Sequence, residues 1–286
     1  MALQGSGQIK LSEIATEFGG SAPHALSEYY DAASGVPSSG EIQLAEDFYG
    51  KSNLFAFNVT GSNVNLRTAA VSAGWDESAP VVATVQSGTT ITASSSSNDA
   101  MTIDGSWAGG VTFVNAGTVL GEGGNGGTGG AWTGTAGSGA ADGDALTANV
   151  AVTVTNNGSL IGGGGGGGGS GGYRSNSGNN IAGGGGGGGA PDGSGGSSGG
   201  GWGGSNSGSN ASSNSGGSGG GSGSPWNMLG GSGGNRGAAG SAGNNSSICD
   251  NYGCGSAGGG GAAGYAVRGN SNITWTANGT KTGSIG

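Results

Sequence analysis

Residues 152–172 read VTVTNNGSLIGGGGGGGGSGG, and the change of pattern at Gly162 decides how the chain is read. Val152 to Ile161 carries β-branched and apolar residues at the two-residue period of a strand. The eight glycines that follow have no side chain to bury, and they lose more backbone entropy on folding than any other residue. Such a run is either a disordered tether or a backbone-only structure that needs glycine because nothing larger fits. The second case has a known geometry, an extended left-handed helix with three residues per turn and about 3.1 Å of rise, so that eight residues span roughly 25 Å. Packed side by side, such segments hydrogen-bond to neighbours in several directions, which answers the demand that buried N–H and C=O groups be paired. A second run, Gly183–Gly189, and 77 glycines in all make this the dominant feature of the chain.

The unit is repeated. VTFVNAGTVLG at 111–121 aligns with VTVTNNGSLIG at 152–162, an offset of 41 residues. Each copy is a strand, an Asn-x-Gly step, a short apolar stretch and a glycine tract. Asn115/Gly117 and Asn156/Gly158 are expected to form turns that require positive φ. A glycine tract that twice begins in register with a strand argues for order over a tether. Working outward, residues 54–161 read as a β-rich domain, with strands expected at Phe55–Val59, Val81–Val85, Thr89–Thr92 and Met101–Ile103. Residues 162–264 are the glycine domain proper. Residues 265–286 return to strand pattern, and Asn278-Gly279 signals a C-terminal β-hairpin.

Composition removes several function classes. Charged residues are 8% of the chain and the net charge is −9 with 7 Lys+Arg, so a binder of nucleic acid is not expected. Arg67, Arg174, Arg236 and Arg268 stand alone, which also removes an Arg-Gly-Gly RNA-binding tail. Collagen would need glycine at every third position and far more than 5 prolines. No stretch reads as a secretory signal or a membrane span, so membrane insertion is not expected. Yet the body, poor in Lys and rich in Gly, Ser, Thr and Asn, suits an extracellular surface. A virion component made in the host cytoplasm and released by lysis reconciles the two.

Residues 1–53 form a module of different composition with its own short repeat, GQIKLSE at 7–13 and GEIQLAE at 40–46. Ser12-Glu13 and Gly19 suit the start and stop of a helix at 13–18, and Leu26–Tyr30 adds a turn. So small a unit buries little, so Ile9, Leu11, Ile14, Phe18, Tyr29, Tyr30, Ile42, Leu44, Phe48 and Tyr49 are expected to dock on a partner. The alternative is a self-contained cap on the next domain.

The glycine domain is interrupted at Tyr173-Arg174, Ala190-Pro191-Asp192, Trp202, Pro225 to Leu229 and Ile248 to Cys254. If the tracts are parallel rods, the interruptions are turns at the two ends of a stack. Loop tips carry function because they vary without harming a scaffold. Tyr173, Arg174, Trp226, Asn227, Met228 and Tyr252 are therefore candidate contacts, the alternative being that the aromatics plug the open end of the stack. Trp202, flanked by glycine, is read as a plug. Cys249 and Cys254 are spaced for a small disulfide-closed loop in an oxidising setting, or else are a reduced pair. Chemistry is not expected. His24 is the sole histidine, so a Ser–His–Asp arrangement would have to use it. The acidic pairs Glu46-Asp47, Asp76-Glu77 and Asp142/Asp144 sit in turn-like contexts. No metal or cofactor is expected.

The opening IKLSEIATEFGG…SEYY…IQLAEDFYG resembles an N-terminal module of tailed-phage tail fibres and other virion proteins. TNNGSLIGGGGGGGG and the ending AVRGNSNITWTANGTKTGSIG resemble distal parts of tail-tip and receptor-binding proteins. The polyglycine region resembles the detachable tail-fibre adhesins of T-even-like phages. That resemblance implies a mainly β chain with polyglycine II helices: an N-terminal attachment module with short helices, a β-rich shaft, and a glycine-rich helical-sandwich distal domain whose apical loops touch the host. It implies a non-enzymatic virion adhesin. Its partners would be other phage tail or baseplate proteins and a bacterial surface receptor, polysaccharide or outer-membrane protein. A homo-oligomer is implied, a trimer by analogy with other fibres. A purely structural fibre or baseplate component is the alternative.

Overall fold

Val152–Ile161 lies within a stack of parallel strands in the computed structural model, which describes residues 2–33, 35–174, 180–200, 205–222, 227–245 and 253–286. Helices α1 (Leu11–Phe18) and α2 (Leu44–Phe48) come first. Then follow β1 (Phe55–Asn58), β2 (Val64–Asn65), α3 (Leu66–Ser72), β3 (Val81–Val85), β4 (Thr90–Thr92) and β5 (Met101–Ile103). Next are β6 (Val111–Asn115), β7 (Thr118–Leu120), β8 (Leu146–Ala148) and β9 (Val152–Ile161). Among its described residues the glycine region holds only the two-residue strands β10 (Tyr173–Arg174), β11 (Asn180–Ile181), β12 (Gly221–Ser222) and β13 (Met228–Leu229). β14 (Tyr265–Arg268), β15 (Ile273–Thr282) and β16 (Ser284–Ile285) close the chain.

β1, β3, β6, β9 and β15 pair in that order, all parallel. β4 and β7 pair likewise and join the second half of β9. β2, β5, β8, β14 and β16 form the other sheet, again parallel. Each circuit of the chain crosses both sheets and advances by one strand spacing, about 4.8 Å. The result is a parallel solenoid in which no circuit buries its inner face without its neighbours. Alternate residues point inward: Val81, Ala83 and Val85 of β3, Val111 and Phe113 of β6, and Val152 and Val154 of β9 all enter one core.

The two sequence copies lie on adjacent circuits, with Asn115 opposite Asn156 and Thr118 opposite Ser159. Both asparagines are fully buried. Asn115 Nδ2 donates to Asn156 Oδ1 at 2.8 Å, and Asn156 Nδ2 donates to the carbonyl of Asn278 at 3.0 Å. Such a ladder satisfies buried amides while fixing register between circuits. The positive-φ turns expected here are not formed, although Gly117 N donates to Asn115 Oδ1 at 3.1 Å across the bend between β6 and β7. β9 runs unbroken through Asn156–Gly158, and neither Gly117 nor Gly158 has positive φ. Glycine is needed instead because the next circuit is close: a Cβ on Gly158 would lie 2.0 Å from Gly117 O, and one on Gly117 2.3 Å from Thr89 O.

Glycine excursions leave the solenoid at one corner. Between β4 and β5 that corner is the short segment 93–100; between β7 and β8 it is 121–145, and between β9 and β14 it is 162–264. The first excursion makes one round trip and the second makes four. Their tracts hydrogen-bond laterally in steps of three residues: Gly124, Gly127 and Gly130 N–H donate to the carbonyls of Gly164, Gly167 and Ser170 at 3.0, 2.8 and 2.9 Å. The tract 162–170 is ringed by six others, 121–130, 134–143, 255–264, 237–243, 230–234 and 183–190, each bonded to it. Tract 183–189 is ringed in the same way by 121–130, 162–170, 230–234, 216–220, 206–210 and 193–199. These two enclosed tracts are the two uninterrupted glycine runs. A Cβ at each position from Gly163 to Gly169 would meet a neighbouring carbonyl oxygen at 2.0–2.3 Å. Peripheral tracts have an open side and admit Ser, Asn and Ala there.

The expected helical sandwich of polyglycine II is not the fold found. Among the described residues the regular elements are two parallel sheets, two short antiparallel strand pairs, three α-helices and two 3-10 turns, and the glycine tracts carry no helical element of their own. Their N–H and C=O groups are used between tracts. The C-terminal hairpin is corrected too. β15 pairs parallel with β9 and runs through Asn278-Gly279, where Gly279, at φ 46°, forms a bulge; β14 and β16 pair parallel. In the first module α1 begins at Leu11 rather than residue 13, because the Glu13 side chain accepts from Lys10 N, and it stops at Gly19, φ 79°.

Candidate functional site at the far end of the glycine tracts

The near ends of the tracts, next to the solenoid, turn through Pro191-Asp192, Ser212–Ser215 and Asn235–Gly237. They are polar. The far ends are where the aromatic and bulky residues gather. Ala131–Gly134 turns there, β10 pairs with β11, β12 pairs with β13, and Tyr173 bridges to Cys254. Tyr173, Ile181 and Met228 pack with Cys254 into a separate small core. Its cause is geometric: glycine tracts have no side chains to close their open end, so apolar side chains from the loops must do so.

This arrangement divides the expected contact residues. Tyr173 is 5% exposed and Met228 is fully buried, so both belong to the plug and neither is a surface group. Arg174 and Asn227 are exposed. Asn227 holds a φ of 43°, as does Trp132. Trp202, Trp226, Tyr252 and Cys249 lie outside the described residues; Cys254 is disulfide-bonded. Sequence reasoning missed Trp132, which is 49% exposed, and gave no role to Leu229, 41% exposed. Both are large apolar groups left in water at the far end. A signal for Trp132 was available, since Ala131–Thr133 interrupts the first excursion as the others interrupt the second. Arg174 is the charged residue among the described far-end residues.

In residues 1–53 most of the proposed docking groups are already occupied. Ile9, Ile14, Tyr29 and Phe48 are buried in the module's own core, with Leu11, Phe18, Ile42, Leu44 and Tyr49 packed half-buried against it. Phe18 and Tyr29 meet Phe48 edge-on at 5.8 and 6.3 Å. The half-buried Tyr30 donates its hydroxyl to Gly40 O. The module thus closes a core of its own. What the module offers outward is a cavity of about 330 Å³ lined by Ala2, Leu3, Gln4, Glu13, Thr16 and Glu17.

The family model for the phage tail fibre adhesin Gp38 matches residues 54–286, the solenoid and both excursions together. The chain belongs to that family. As a Gp38-family adhesin it is a component of the virion tail fibre. The crystal structure of the gp37–gp38 adhesin tip complex of the bacteriophage S16 long tail fiber is similar over 98% of this chain and 94% of that one, with a TM-score of 0.55 and 23% identity. That likeness extends to residues 1–53, which the family model does not reach. No curated protein sequence matches the chain.

Proposed function

We propose that this adhesin docks on another tail-fibre protein through residues 1–53 and holds its far-end loops against the surface of the host bacterium. One observation carries the reading: the loops of both excursions meet at one end of a scaffold braced by lateral hydrogen bonds, where Trp132 and Leu229 are exposed and Tyr173, Ile181 and Met228 form a small core. Aromatic and apolar side chains held by a rigid base lose little entropy on contact and make effective anchors. The S16 adhesin is found in complex with gp37, which supports a tail-fibre partner at the other end. The receptor would be a surface polysaccharide or an outer-membrane protein, reached by particles released on lysis. Each chain closes its own solenoid core, so the reading does not depend on a trimer.

The test pairs adsorption with stability. Trp132→Ser with Leu229→Ser is expected to cut adsorption of assembled particles at least about tenfold, with Tm unchanged and the fibre intact. Unchanged adsorption on assembled particles would favour the purely structural reading.

A further inference from the structure

Four chain crossings converge where the excursions meet the solenoid: Gly121–Glu122 leaving, Gly143–Asp144 returning, Gly162–Gly163 leaving and Gly264–Tyr265 returning. They are bonded in sequence. Gly143 N donates to Glu122 O at 3.0 Å, Gly163 N to Gly143 O at 3.2 Å, and Gly264 N to Gly163 O at 3.3 Å. The Asp142 side chain packs into this root, and a Cβ on Gly163 would lie 3.0 Å from its own Cβ. Both Asp142 carboxyl oxygens are shut off from solvent, and neither accepts a hydrogen bond of good geometry.

Its neighbour is treated differently. Asp144, 3% exposed, accepts from Tyr265 N at 2.8 Å and pairs with Arg268, whose guanidinium also lies 4.3 Å from the Tyr265 ring centre. The cation at the root is therefore committed to Asp144. The other charged or titratable groups around it are Glu122 on the outgoing tract, Asp192 beside Glu122, Tyr265 on β14, and Asp99 in the segment before β5. All but Tyr265 are acidic; Arg236, in the near-end turn whose Gly237 N donates to Gly162 O and Gly163 O, is the other nearby cation, and it is not among the groups that act on Asp142.

We propose that Asp142 is a proton-operated latch on the root of the glycine tracts, closed when its carboxyl is neutral and loosened when it ionises. Burial pushes this group up to about 7, and the Asp144 charge adds to the shift. The backbone N–H groups of Gly264 and of Asp142 itself oppose it, and the first of these is also given to Gly163 O. Because the folded value is raised, the stabilisation is complete below about pH 4 and is lost as pH rises to about 7. The latch acts on how firmly the far end is carried, whatever that end contacts.

Amide hydrogen exchange on the full chain tests this, with rates at pH 5.5 and 8.0 each corrected for intrinsic exchange. Protection at Gly163 and Gly264 is expected to fall at least about tenfold at the higher pH, while Phe113 and Val154 in the solenoid stay unchanged. In Asp142→Asn the root should keep its low-pH protection at both values. A carbon-13 titration of the Asp142 carboxyl in the unmodified chain gives an independent reading if the variant misfolds, and a midpoint below about 5 would sink the proposal. Root protection that ignores pH, or that still varies with pH in Asp142→Asn, would overturn it. So would recovery at pH 8.0 on adding millimolar Ca²⁺, which would make the joint cation-held.

Discussion

A single methyl group separates two kinds of glycine in this chain. On Gly166 it would lie 2.0 Å from the carbonyl oxygen of Asn125, with backbone on every side. On Gly259 its nearest neighbour is Ser138 Oγ at 4.0 Å. Gly166→Ala is therefore expected to cost about 3 kcal/mol or more, since backbone cannot swing aside as a side chain can. Gly259→Ala should be neutral or slightly stabilising through the unfolded chain. Thermal unfolding of the two variants side by side checks the contrast. Asn156→Ala should cost about 2–3 kcal/mol, because it strips the partner from buried Asn115 and empties the ladder. The same residues show what could be read in advance. Two unbroken runs announce that nothing larger fits, and enclosure by six tracts is the reason. Which tracts adjoin was not legible, because glycine has no side chain to specify a neighbour. Tyr173 and Met228 were misassigned for a related reason: an apolar residue between glycine runs looks the same whether it plugs or projects.

At the scale of elements, strand positions were legible and their pairing was not. The patterns at 81–85 and 101–103 match β3 and β5 as found. Parallel pairing, however, joins residues one whole circuit apart, and only the 41-residue repeat recorded that distance. Asn278-Gly279 carries a hairpin signature, but β9 offers a ten-residue parallel partner that outweighs one local turn. The far-end plug behaves as an element too. Met228→Ala is expected to cost about 2–5 kcal/mol locally, freeing β10 and β11 for proteolysis while the solenoid stays intact. Adsorption would fall with it, whereas Trp132→Ser should lower adsorption with no new cleavage. Limited proteolysis of both variants distinguishes support from contact.

At the scale of the whole molecule, the described residues hold two separate large cores, one in residues 1–53 and one in the solenoid. The family match beginning at residue 54 respects the same division. A chain of residues 54–286 is accordingly expected to fold with Tm within a few degrees of the full protein and to bind host cells. It should fail to incorporate into particles. Unfolding of the truncated chain at room temperature would show that the first module completes the solenoid.

Both excursions leave and return at one corner, and this imposes a parity rule. A tract that goes out obliges another to come back, so the glycine stack grows only by even increments. Each added pair brings one fresh far-end loop and one polar near-end turn, and leaves the strand order of the solenoid as it was. The far end is thereby open to revision by whole loops, while the solenoid stays constant.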